Sequence, residues 1–143
     1  HSNVKFGTLT GSEAGLTNAV NNALADAGMT IDDIDAVFGF ANGMKAVDDV
    51  EIKGLTAVFG DKLAEKPVVE LKEVLGESRA AAATTAAAHA ALMFAGKIPS
   101  QEAYSIAADG SVSKTNVEAS KLNNVLVVAY GAGGSYTAIV LSK

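Results

Sequence analysis

Two strand-forming runs, Asn124 to Tyr130 and Tyr136 to Leu141, flank the five residues Gly131-Ala132-Gly133-Gly134-Ser135, and the chain before them alternates between helical and extended periodicity. A glycine-rich link this short between two such runs can only turn the chain back on itself, so the pair reads as a β-hairpin. A phosphate-binding loop is the competing reading of the glycines, but such loops lead from a strand into a helix, and here a strand follows. Helices alternating with strands and ending in a hairpin predict one α/β domain over residues 1–143, with helices layered on a mainly parallel mixed sheet.

The individual segments carry their own signals. Val4 to Leu9 reads as a strand, and Thr10-Gly11-Ser12 supplies turn and cap chemistry for a helix. Leu16, Ala19, Val20, Ala23, Leu24 and Ala27 then recur at helical spacing, and Gly28 is placed to end that helix in a left-handed conformation. Thr30 and Asp33 have capping-box spacing, and Asp35 to Gly39 is strand-like. A second helix is expected over Asp48 to Phe59, with Gly60 as its stop. Pro67 opens a strand through Leu71, and Ser78 caps an alanine-rich helix running towards Phe94. So many small side chains suit a helix buried between other elements. Residues 100–120 show no clear periodicity and read as a long irregular connection.

Composition narrows the function classes. With a net charge of -5 and Arg79 as its single arginine, the chain lacks the clustered cations that grip phosphate backbones, so nucleic acid is not expected as a partner. No apolar run is long enough to span a bilayer, and the first residues lack a signal-peptide pattern; a cytoplasmic protein without a membrane partner is expected. The absence of cysteine removes disulfides, thiolate metal sites and cysteine nucleophiles from this chain. Only His1 and His89 could offer imidazole chemistry, and His89, within the alanine-rich tract, reads as a packed or surface residue.

Several motifs in register resemble the C-terminal half of the β-ketoacyl synthases, a thiolase-fold family. They are Ala23 to Gly28 followed by Asp32 to Val37; Asp48 and Glu51 with Ala57-Val58-Phe59-Gly60; Pro67-Val68 through Lys72 with Leu75-Gly76; Gly96-Lys97-Ile98-Pro99; and the loop Gly131 to Ser135. The resemblance implies a thiolase-like half whose partner half, carrying the nucleophile, lies outside these residues. It also places Phe40 and Glu77 at the family's two histidine positions and Lys72 at the family lysine. Those histidines assist malonyl decarboxylation and stabilise a developing oxyanion. A phenyl ring can do neither, and a carboxylate opposes the negative charge. In the glycine-rich loop, Ala132 stands where the family has a gating phenylalanine and Tyr136 where it has an asparagine, so a gating role is not expected here.

Loss of both histidines is a trait of chain-length factors, the non-catalytic partners in type II polyketide ketosynthase heterodimers. By resemblance the chain is therefore expected to be part of a non-catalytic, ketosynthase-like subunit of polyketide or fatty acid biosynthesis. Its partners would be an N-terminal thiolase-like half, an active ketosynthase and an acyl carrier protein, with no cofactor and no metal. The alternative is part of a divergent β-ketoacyl carrier-protein synthase, an acyltransferase, with Lys72 and Glu77 recruited. Asp48 and Glu51 form a structural acidic pair, expected to complement the dipole of their helix rather than to bind metal. Lys72 is expected to pair with a buried acid, and Glu51 is the candidate. Glu77 would be solvated or paired with Arg79 or Lys72.

Overall fold

The fold is that of a computed structural model, which describes residues 2–3, 11–76, 82–131 and 134–143. The expected strand at Val4 to Leu9, the cap at Ser78, and Glu77, Ala132 and Gly133 lie outside the described residues. Among the described residues, seven strands form one mixed sheet in the order β1-β7-β6-β2-β3-β4-β5. They are β1 (Ser2–Asn3), β2 (Ala36–Phe38), β3 (Val68–Val69), β4 (Ser100–Ile106), β5 (Val112–Glu118), β6 (Asn124–Gly131) and β7 (Ser135–Ser142). Parallel pairing is confined to the centre, where β2 runs alongside both β3 and β6; the outer pairs are antiparallel.

Alternation of side chains along the central strands divides the core in two. Val37, Leu126 and Val128 face one side and pack with Leu16, Val20 and Leu24 of α1 (Glu13–Ala27) and with Leu55 and Phe59 of α2 (Lys45–Phe59). Ala36, Phe38, Val125 and Val127 face the other side and meet Ala86, Ala90 and Met93 of α4 (Ala82–Phe94). Central strands covered on both faces need continuous apolar sequence, which the run Val125-Leu126-Val127-Val128 supplies. The outward side of α4 leaves Ala88, Ala91 and Leu92 exposed, an apolar face. No helix among the described residues is long and apolar enough to cross a membrane.

Local signals set the helix ends. The Ser12 side chain accepts from the Gly15 amide at the start of α1, and Gly28 ends it at φ 65°. Thr30 and Asp33 close a reciprocal capping box on a short 3-10 turn. α2 begins at Lys45, three residues before the expected Asp48, so Asp48 sits in its first turn rather than at its start. The strand expected over Pro67 to Leu71 pairs only at Val68–Val69, because the chain winds at once into α3 (Lys72–Leu75).

Residues 100–120 are not an irregular connection. They form the β4-β5 hairpin, in register from Ser100↔Glu118 to Ile106↔Val112, around a turn in which the Asp109 side chain accepts from the Ser111 amide. The hairpin extends the sheet at its outer edge, where β5 buries Val117 and leaves most of its other side chains exposed, so no apolar period marks it in the sequence.

α1 and α2 approach closely at Gly54, where an added Cβ would lie 2.7 Å from Cδ2 and 3.1 Å from Cβ of the fully buried Leu16. Gly54→Val is therefore expected to lose about 2 kcal/mol in urea unfolding, since overpacking outweighs the modest gain in helix propensity.

Candidate functional site

The parallel strands β2 and β3 end side by side, and the segments leaving them, residues 39–44 and 70–72, build a cavity at their carboxyl ends, the usual place for a site in such sheets. The sheet carries one bond further, from the Gly39 amide to the Val69 carbonyl at 2.9 Å, before β2 turns away. Three backbone amides in the turn then need acceptors. α2 reaches back to supply them. Glu51 accepts from the Phe40 and Ala41 amides at 2.8 Å each, and Asp48 accepts from the Asn42 amide at 3.0 Å. The acidic pair thus holds the loop in front of its helix, a more specific role than the expected complement to the helix dipole.

Lys72 approaches the same loop from the start of α3, its Nζ donating to the Phe40 carbonyl at 2.6 Å. The expected link between Lys72 and Glu51 is therefore relayed through the backbone of residues 40 and 41, and it includes a Coulombic attraction that favours the Glu51 anion. That attraction is a minor influence. Glu51 is 2% exposed, and burial pushes its pKa up to about 7; the two amides pull it down, Asp48 pushes it up, and Lys72 pulls it down again.

Phe40 is 1% exposed, and its ring packs on Tyr130 with centroids 5.7 Å apart. Tyr130 in turn packs on Tyr136 at 5.2 Å, and the Tyr136 hydroxyl accepts from the Ser12 amide. A ladder of three rings thus runs from the turn after β2 to the hairpin ends of β6 and β7, filling the space beside residue 40 with apolar surface.

The cavity has a volume of about 340 Å³. Its polar floor includes Asp48, Glu51, Glu70 and Lys72, and Ile52, Val68, Ile106 and Val112 contribute apolar wall. At the rim, Tyr104 of β4 donates its hydroxyl to Glu73 at 2.6 Å. No three His, Asp or Glu side chains among the described residues are arranged to hold a metal ion.

The structure thus brings together Phe40, Lys72, Asp48 and Glu51. Gly131 and Gly134 lie at the hairpin turn, next to Tyr130 and so to the aromatic ladder, with the Gly134 amide bonded to the Gly131 carbonyl at 3.2 Å. His89 is separate. It lies on α4 against Phe38, and burial lowers its pKa against an opposing hydrogen bond to Gln101. Sequence reasoning missed Glu70, Tyr130 and Tyr104. Glu70 did carry a signal: it is an acid within Val68-Val69-Glu70-Leu71, sharing its side of the strand with Val68.

Residues 2–104 match the model of the beta-ketoacyl synthase C-terminal domain. The chain is 29% identical over 134 residues to "Putative polyketide beta-ketoacyl synthase 2" of Streptomyces halstedii, covering 92% of this chain and 32% of the relative. It is 31% identical, with the same coverage, to the protein of the same name from Streptomyces coelicolor. Among solved structures it resembles the ishigamide ketosynthase/chain length factor, with a TM-score of 0.74 and 25% identity over 92% of this chain and 33% of that one. The chain therefore spans about a third of the length of the relatives it matches.

The clamp on the loop can be tested by Glu51→Gln. An amide NH2 would face one of the two backbone N–H groups, and a loss of about 1–3 kcal/mol in unfolding free energy is expected from denaturant titration at about pH 7.

Proposed function

This chain belongs to the beta-ketoacyl synthase family, and from that premise we propose that it is the C-terminal half of a non-catalytic subunit of the chain-length-factor type, which acts by association with an active ketosynthase. The observation that carries the reading is the buried Phe40. It stands where the family resemblance puts the first histidine, and its ring packs on Tyr130, itself packed on Tyr136, rather than beside a substitute imidazole. Losing one oxyanion donor costs on the order of 10² to 10³ in rate, and by the same resemblance Glu77 replaces the second. A buried cluster of carboxyl groups across the cavity floor adds to the disadvantage, since it disfavours any nascent anion placed there.

The proposed partners follow from the same reading. The exposed apolar face of α4 suits packing against the N-terminal thiolase-like half, and the length of the relatives supports the existence of such a half. An active ketosynthase, and an acyl carrier protein delivering the chain, complete the proposed assembly, which we place in the cytoplasm in polyketide or fatty acid biosynthesis.

A second reading makes the parent a divergent synthase whose nucleophile lies in the remaining two thirds. Lys72 favours it, because a cationic side chain remains at the floor of the cavity, at the family lysine position. One assay separates the two. The full-length protein alone, given malonyl and acyl carrier-protein thioesters, is expected to yield no condensation product, and addition of an active ketosynthase is expected to restore turnover. Condensation by the protein alone at an ordinary synthase rate, abolished by Lys72→Ala, would instead establish the divergent enzyme.

A further inference from the structure

Two carboxyl groups converge on the backbone of Gly39. A Cβ at that residue would fall within 3 Å of Oε1 of both Glu51 and Glu70, so the absence of a side chain there is what admits them side by side. Their surroundings differ. Glu51 accepts two backbone N–H bonds, whereas Oε2 of Glu70 is sealed from solvent without a hydrogen-bond partner. Two like charges cannot both be held cheaply at such a place, and a shared site resolves the conflict by keeping one proton.

We propose that Glu51 and Glu70 form one acid unit that retains a single proton at neutral pH, with the charge on Glu51 and the proton on Glu70, and that this neutral Glu70 keeps residues 39–41 seated at the cavity floor. Charge belongs on Glu51 because the Phe40 and Ala41 amides and the Coulombic pull of Lys72 favour its anion. The groups facing Glu70 act mostly the other way. Burial raises its pKa well above the usual carboxylate range; Glu51 and Asp48 of α2 and Glu73 of α3 add to the rise, and Lys72 of α3 opposes it. Tyr104 of β4 is bonded to Glu73 and is uncharged at neutral pH.

The sign of the pH effect follows. A carboxyl with a raised pKa binds its proton in the folded chain after the unfolded chain has lost it, so its stabilising contribution is complete below the unfolded pKa and fades as pH rises towards the folded one. The contribution of Glu51 is lost as pH rises through about 7, whereas that of Glu70 continues to fade above it. His89, whose pKa is lowered, acts only below its unfolded value of 6.5 and leaves the upper window clear.

Denaturant unfolding of the full chain between about pH 7 and 8.5 tests this. In the wild type the unfolding equilibrium constant is expected to rise by up to about tenfold per pH unit, the limit for one proton, while Glu70→Gln stays nearly flat and is the more stable at the top of the range. Parallel pH profiles for the two proteins would overturn the proposal. Should the variant not fold, carbon NMR of the labelled glutamate carboxyls in the wild type decides. One carboxyl still protonated at about pH 7 supports the unit, and full ionisation of every glutamate by about pH 6 overturns it.

Discussion

The carboxylate of Glu51 accepts the Phe40 and Ala41 amides, just beyond the last sheet bond at Gly39, and the arrangement of the cavity depends on that pair of bonds. Without them the turn from Gly39 to Met44 would leave buried donors unsatisfied, at a cost of about 1–3 kcal/mol each. With them the turn is fixed against α2, so the Phe40 side chain points into the aromatic ladder while its carbonyl meets Lys72. One charged side chain, reaching back from the second turn of a helix, therefore sets the inward direction of residue 40 and the position of the lysine opposite. Burial works against that arrangement by raising the proton affinity of Glu51, and the hydrogen bonds partly offset it.

Elements whose signals are local were legible in the sequence. The apolar face of α1, its Ser12 cap and its Gly28 stop appear where spacing and cap chemistry placed them, as do the Thr30–Asp33 box and the final hairpin. The β4-β5 hairpin was not legible, because a strand that faces solvent over most of its length carries no alternation for a pattern to reveal. The early start of α2 was hidden for a different reason: its N-cap residue, Met44, makes no side-chain capping bond, and the loop amides are satisfied from inside the helix instead. At the site, the resemblance identified Phe40, Lys72, Asp48 and Glu51. Glu70 and Tyr130 depend on which residues meet across β2, β3 and β6, and spacing alone does not determine that.

Position 40 also shows how an apolar side chain is accommodated among polar anchors. Lys72 and the Asp48–Glu51 pair brace the β2-α2 turn, yet the side chain between them is a hydrocarbon ring that packs on Tyr130, which packs in turn on Tyr136. An aromatic filling of this kind gains from burial what a polar group would have to recover through partners. Similarity of structure to a ketosynthase/chain length factor therefore carries information about architecture before it carries any about turnover.

The sheet finishes at β5, beyond which no described strand is paired, so one row of its backbone amides and carbonyls faces outward. Such a border invites recruitment of further strands from other molecules, the route by which soluble sheets become fibrils. Its sequence, Val112-Ser113-Lys114-Thr115-Asn116-Val117-Glu118, sets two charges and an amide among its exposed positions, and Lys114 is tied across the hairpin to Glu102 at 2.7 Å. An incoming strand would have to desolvate those groups, so the same polarity that hid the hairpin from a hydrophobic pattern guards the open margin of the sheet against templated growth.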